Sequence, residues 1–309
     1  MDVIDAGGTM TRAFAFFVVA TLLMAYQFRP ARAAASPSIK QVSFEGVTLR
    51  YLDQGQGAAV VFVHGGVSDH RVWEHQREAI AKRYRFIAID QRYFGPAPWL
   101  DDGALFSQAT HVADLAAFIR ALNVGPVYLV GQSYGAVIVL AVGVYHPDLV
   151  RGLVLNEPPL PSILTDPAAQ KVVSEDRQGL VAVSAAARAG NILEATRQFI
   201  DWVNGQPGGF AELSAAEQTM HSENARTLPL QLGSPPPAPL TCSQLGQVKV
   251  PVLMTKGELT RSFFRVIVEA AHRCMPVSQV LTIPGARHGA PRQAPAAFNA
   301  VLLGFLARN

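Results

Sequence analysis

The stretch Val127-Tyr128-Leu129-Val130-Gly131-Gln132-Ser133-Tyr134-Gly135-Ala136-Val137-Ile138 decides the fold. Val127–Val130 has the length and β-forming character of a buried strand. It runs straight into Gly131-x-Ser133-x-Gly135, and an apolar helical pattern continues to Tyr145. A serine flanked by glycines at a strand-to-helix turn is a nucleophile elbow. The turn presents the hydroxyl, and a Cβ at either flank would collide with the neighbouring strand or helix. The helix points its amino end at the serine, which places the Tyr134 N–H to stabilise a developing oxyanion. Alone, G-x-S-x-G is a weak pattern. At the end of a buried strand it is a strong one.

The same style recurs on both sides of the elbow. Short apolar runs stand at Ala59–Val63, Phe86–Asp90, Gly152–Leu155, Val252–Met254 and Gln279–Ile283. Near-unbroken apolar runs of this length read as parallel strands buried on both faces. Amphipathic stretches at His70–Arg83, His111–Leu122, Gly135–Tyr145, Phe263–Arg273 and Pro295–Ala307 alternate with them. Strand–helix alternation implies an α/β fold with a mostly parallel central sheet flanked by helices. Two alternating segments, Ile39–Phe44 and Val47–Asp53, are split by Glu45-Gly46 and read as a hairpin ahead of it.

One interval breaks the rhythm. Residues 158–247 carry helical periodicity and no convincing strand, which predicts a helical cap inserted into a core of residues 36–157 and 248–309. Asn191 with Glu194, and Ser214 with Glu217, have the spacing of capping boxes. Ser234-Pro-Pro-Pro-Ala-Pro239 reads as a stiff return segment.

Composition narrows the classes. Of 309 residues, 50% are hydrophobic and 16% charged, a mix that excludes intrinsic disorder. The net charge of +3 comes from interspersed residues with no basic run, so neither nucleic acid nor an anionic membrane is an expected partner. At the amino end, Arg12 precedes 14 uncharged residues, Ala13–Tyr26, and then Arg29, Arg32, Ala33 and Ala35. Residues 1–35 therefore read as a secretory signal cleaved near Ala33 or Ala35, giving a secreted or periplasmic protein without stable membrane association. The run is short for a membrane span, which takes about 20 apolar residues. In an oxidising compartment Cys242 and Cys274 are open to pairing as a disulfide. No Cys/His cluster suggests a metal, and no motif suggests a cofactor. The oligomeric state is not encoded.

A serine nucleophile needs a base. His288 is the outstanding candidate among eight histidines, in Gly285-Ala286-Arg287-His288-Gly289 directly after the last apolar strand. Loops at the carboxyl ends of parallel strands are where sites collect. His146, His221 and His272 read as surface or core residues. After the first buried strand stands His64-Gly65-Gly66, where the Gly66 N–H is the candidate second oxyanion donor and His64 a structural hydrogen-bonder. Trp202, Phe199 and Phe210 are candidates to line an apolar pocket.

These residues together resemble the α/β-hydrolase-fold serine hydrolases. The resemblance covers essentially residues 39–308. It rests on the elbow, His64-Gly65 with Trp73 downstream, Asp90-Gln91-Arg92-Tyr93-Phe94-Gly95 and Gly285-x-x-His288. It implies hydrolysis of a carboxylic ester or lactone of a small, apolar molecule, through an acyl-enzyme and without a cofactor. The same triad supports acyl transfer, perhydrolysis or C–C cleavage, and the fold also serves as a ligand-binding module.

The acid departs from the family pattern. Where the family usually places Asp in G-x-x-D, this chain has Gly257-Glu258-Leu259-Thr260. Glu157, after the strand that follows the elbow, and Glu258 are the two candidates. Glu157 is favoured, because some members of the fold resemble this chain in placing an acid there.

Overall fold

A computed structural model describes residues 37–234 and 240–309. The proposed signal and Pro235–Pro239 of the return segment lie outside the described residues. The eight strands are β1 Ser38–Phe44, β2 Val47–Gln54, β3 Ala59–Val63, β4 Arg85–Ile89, β5 Val127–Gln132, β6 Val150–Asn156, β7 Val252–Gly257 and β8 Ser278–Ile283. The helices that pack on them are α1 Glu74–Ala81, α2 Gln108–Leu122 and α3 Tyr134–Tyr145. Between β6 and β7 come α4 Pro167–Arg177, α5 Leu180–Arg188, α6 Ile192–Asn204, α7 Ala215–Asn224, α8 Leu228–Gly233 and α9 Cys242–Leu245. The chain closes with α10 Ser262–Cys274, α11 Ala290–Gln293 and α12 Pro295–Arg308.

The strands form one sheet in the order β1-β2-β4-β3-β5-β6-β7-β8. β1 and β2 pair antiparallel, as do β2 and β4, and every pairing from β4 to β8 is parallel. Glu45 and Gly46 both hold positive φ at the β1–β2 turn, the geometry that matches strand twist in a two-residue hairpin.

Strand residues alternate between two apolar layers. Val61, Val63, Leu129, Leu153, Leu155 and Met254 face α2, α3 and α10, in one cluster with Phe118, Val137 and Phe264. Val60, Phe62, Tyr128, Val130, Val154 and Leu253 face α1 and α12, with Trp73, Ile80, Phe298 and Leu302. Both faces are covered, which is why the strands read as unbroken apolar runs. α3 is buried from Tyr134 to Gly143, so the helix behind the elbow is core on all sides.

The interval between β6 and β7 contains no strand among its described residues. Ser214 and Glu217 make the expected capping box at α7. Asn191 makes no side-chain cap at α6; Glu194 turns instead to Gln198 and Arg197. The stretch His70–Arg83, expected as one helix, is a 3-10 turn His70–Trp73 followed by α1, because Asp69 caps the Arg71 N–H and tightens the first turn. Cys242 and Cys274 form a disulfide that ties α9 to the end of α10. Asp176 of α4 is paired with Arg261 and accepts from the Phe263 N–H, a second tie to the core.

Three buried histidines set the acid limit of this fold. Burial holds His64, His111 and His221 below the ordinary value of 6.5, and His111 falls to about 3. Each has a fixed partner: His64 Nε2 accepts from the Gln91 N–H, His111 Nδ1 meets Tyr134 Oη at 2.6 Å, and His221 Nδ1 donates to the Val67 carbonyl. A depressed folded value means that unfolding takes up protons below pH 6.5, and stability present above that pH is lost as it falls. The cost is up to about 1.4 kcal/mol per pH unit per histidine. Urea unfolding followed between about pH 7 and pH 5 is therefore expected to show steadily falling stability. A flat profile would contradict the neutral, buried assignment of these rings.

Candidate active site

Parallel registers bring the loops after five strands, β3, β5, β6, β7 and β8, to the carboxyl edge of the sheet. Val63 pairs with Gly131, Gln132 with Asn156, Asn156 with Thr255, and Gly257 with Ile283. β3 has β4 on one side and β5 on the other, so the chain reverses its winding between β3 and β5. A crevice opens at such a switch point. Gly65 and Gly66 leave β3 there, and Ser133 leaves β5 beside them.

Ser133 has φ +52° and ψ −120°, a conformation most L-residues avoid. Its N–H donates to the Asn156 carbonyl at 2.8 Å, which pins the elbow to the end of β6. The flanking glycines are required sterically. A Cβ on Gly131 would lie 2.6 Å from Ala136 Cα, and one on Gly135 would enter the Val63 and His64 carbonyl oxygens. Gly65 approaches so closely that its Cβ would stand 3.3 Å from Ser133 Cβ. A Cβ on Gly66 would run into the Gln231 side-chain amide. Tyr134 opens α3, where a first-turn N–H has no intrahelical partner. Its ring is buried against Phe106 and His111, and burial raises its phenol well above the ordinary value.

His288 and Glu157 are hydrogen-bonded, Nδ1 to Oε2, at 2.6 Å. Glu157 is fully buried with φ +47°. It accepts at Oε1 from the Gly257 N–H at 2.7 Å, and at Oε2 from the Thr260 hydroxyl at 2.8 Å. Every partner is a donor, so this carboxylate serves purely as an acceptor. Thr260, at the position where the resemblance leads one to expect the acid, thus donates to the carboxylate of Glu157. Glu258 is turned away: its carboxylate accepts from the exposed Gly285 N–H at 2.8 Å.

The His288 ring is held on all sides. It stacks on Phe264 with centroids 3.9 Å apart and planes 16° apart. Its carbonyl accepts from Asn156 Nδ2 at 3.1 Å, and Asn156 Oδ1 is in turn bonded by the Thr255 hydroxyl. With Nδ1–H given to Glu157, Nε2 is left as the acceptor. Ser133 and His288 line one small cavity, of about 50 Å3. Among the described residues they are not hydrogen-bonded to each other, which is common at such pairs before a substrate closes the geometry.

Gly65, Gly66, Gln132, Phe199, His221 and Arg292 also line that cavity. Of the three aromatics expected there, only Phe199 is present. Trp202 instead packs on Phe263 and donates to the Asp176 carbonyl, and Phe210 packs with Ile200 and Leu213. His221, set aside in the sequence, belongs to the lining. His64 is structural as expected, and His146 and His272 lie elsewhere, near Arg120 and Ser278.

Asp69, His70 and Asp90 form a further polar cluster. Asp69 is already engaged by Arg71 and Asn224, and His70 by Asp90. These are bonds that brace the loop after β3.

Residues 58–291 match the family described as the alpha/beta hydrolase fold, and the chain belongs to that family. It is 36% identical over 118 residues to 2-hydroxy-6-oxo-6-(2'-aminophenyl)hexa-2,4-dienoic acid hydrolase of Metapseudomonas resinovorans, covering 37% of this chain and only 40% of that one. It is 27% identical over 257 residues to 2-(acetamidomethylene)succinate hydrolase of Mesorhizobium japonicum, covering 81% of this chain and 88% of the relative. The solved structure of carboxylesterase CesB from Bacillus subtilis superposes with a TM-score of 0.68 at 18% identity, over 88% of this chain and 92% of the other, a likeness of fold.

The packing around the elbow yields a test that needs no substrate. Gly135→Ala is expected to lower unfolding stability by at least about 3 kcal/mol, since backbone atoms of β3 must move. Gly233→Ala, with nothing within 4 Å of its added Cβ, is expected to change it by less than about 1 kcal/mol. Equal urea midpoints for the two variants would refute this packing.

Proposed function

We propose that the protein is a serine hydrolase that cleaves a carboxylic ester or lactone through a Ser133–His288–Glu157 triad. The observation that carries this reading is the 2.6 Å bond between His288 Nδ1 and a buried Glu157 whose other partners are both donors. Such a carboxylate fixes the imidazole tautomer and stabilises the imidazolium.

In this reading Ser133 Oγ attacks the carbonyl carbon while His288 Nε2 takes the hydroxyl proton. The Gly66 and Tyr134 N–H groups receive the negative charge on the carbonyl oxygen, a contribution worth roughly 10²–10³ in rate per donor. The C–O bond to the alcohol breaks, and His288 returns its proton to the departing oxygen. Water then adds to the acyl-enzyme, giving its proton to His288. Collapse releases the acid, and the Ser133 oxygen recovers the proton.

The helices between β6 and β7 act as a cap in this scheme, since Phe199 and His221 reach the cavity from them. The Cys242–Cys274 disulfide supports export to an oxidising compartment. A second reading, hydrolysis of a bond other than an ester on the same triad, is favoured by the relatives named as dienoic acid and acetamidomethylene succinate hydrolases.

Turnover of p-nitrophenyl acetate tests the triad. Glu157→Gln is expected to lower kcat by roughly 10³–10⁴, the effect of losing the acid that orients a catalytic histidine. Glu258→Gln is expected to stay within about threefold of the parent, since it touches only an exposed loop N–H. The opposite ranking would overturn the assignment of the acid.

A further inference from the structure

Arg292 stands four residues past His288 and lines the same cavity as Ser133. Its place is built. α11 starts at Ala290, and the Arg292 N–H donates to the Gly289 carbonyl at 3.0 Å. The guanidinium then reaches across to α7, where its Nε lies 3.2 Å from Glu217 Oε1. Glu217 is itself immobilised, because its other oxygen accepts from both the Ser214 N–H and the Ser214 hydroxyl in the capping box. Four-fifths of each side chain is out of solvent.

One edge of the guanidinium is therefore anchored through Nε. Among the described residues, Nη1 and Nη2 have no hydrogen-bond partner, and Nη2 lies over Gly289, where a Cβ would stand 3.1 Å away. A half-buried arginine with two free, parallel donors is the geometry that binds a carboxylate bidentately. The anchor leaves it pre-organised, so little side-chain entropy remains to be lost on binding.

Ser133 and Arg292 line the same small cavity, of about 50 Å3, so an acyl group carried on Ser133 shares its space with Arg292. Ser68, Gln132, Asn204 and His221 also line it; burial holds the His221 ring below its ordinary value, and the carboxylate beside Arg292 is that of its own partner Glu217.

We propose that Arg292 determines specificity by binding a carboxylate on the acyl part of the substrate, which makes the substrate class small monoesters of dicarboxylic acids. This proposal rests on the serine hydrolase reading for its chemistry, and departs from the expectation of an apolar substrate.

The test compares kcat/KM for mono-p-nitrophenyl succinate and for neutral p-nitrophenyl valerate, in the parent, Arg292→Gln and Arg292→Lys. The parent is expected to prefer the anionic ester at least tenfold. Arg292→Gln is expected to cut that preference by roughly 10- to 100-fold, the worth of a charge-assisted hydrogen-bonded pair. The loss should fall on KM for the anionic ester, with Arg292→Lys intermediate. A parent preference of one or less, or a ratio unmoved by Arg292→Gln, would overturn the proposal. Calorimetric titration of the Ser133→Ala protein with succinate separates the two readings. Binding that Arg292→Gln abolishes, with neither ester cleaved by the parent, would sink the hydrolase reading and leave the carboxylate site standing. Absence of succinate binding would sink the carboxylate site, whatever the esters do.

Discussion

The site depends on one buried carboxylate and the donors around it. Glu157 receives hydrogen bonds from the Gly257 backbone, the Thr260 hydroxyl and the His288 ring, which come from two loops far apart in sequence. A buried ionisable oxygen left without donors would be costly, so these loops are bound to converge on it. The convergence fixes the orientation of His288, and stacking on Phe264 completes the seat. Ser133 and Glu157 each hold positive φ at the ends of adjacent strands, conformations that cost of order 1–3 kcal/mol and survive where their surroundings over-determine them. Here the determining contacts are the bonds from the Ser133 N–H to Asn156 and from the Glu157 N–H to Thr255.

The sheet supplies the convergence. Because β5, β6 and β7 pair in parallel, in continuous register from Tyr128 onward, their carboxyl ends lie side by side, and the residues just past them share one edge. α3 behind the elbow is buried almost throughout, so the serine is backed by rigid core. The helices between β6 and β7 have fewer buried residues and are tied down at chosen points, through Asp176 with Arg261, the Cys242–Cys274 disulfide and the Arg292–Glu217 contact.

Much of this was legible in the sequence. The strands buried on both faces announced themselves as apolar runs, and Gly131 and Gly135 marked a turn that only glycine fits. His288 was legible because a histidine after the last strand of such a sheet has few other reasons to follow a glycine-containing turn. The acid was less sharply legible: Glu157 was favoured, with Glu258 as the other candidate along the chain. Only the β6–β7 pairing separates them by pointing Glu157 inward and Glu258 to the surface. Asn156, Thr260 and Arg292 gave little signal: a polar residue ending an apolar strand, a threonine in place of an aspartate, and an arginine on a four-residue helix. Their roles arise from contacts with segments 100 residues or more away for the first two, and 75 for the last, which no local pattern encodes. Helix starts were read well where the side chain had no rival partner, as at Ser214, and poorly at Asn191, where the first turn is closed by backbone bonds instead.

Reaction of the protein with a fluorophosphonate, followed by intact mass, tests the central claim most directly: that Glu157, through His288, activates Ser133. The parent is expected to take up one label per chain, Ser133→Ala none, and Glu157→Gln one label at a rate lower by orders of magnitude. Labelling of Glu157→Gln at the parent rate would contradict the account, and so would a parent protein that remains unlabelled.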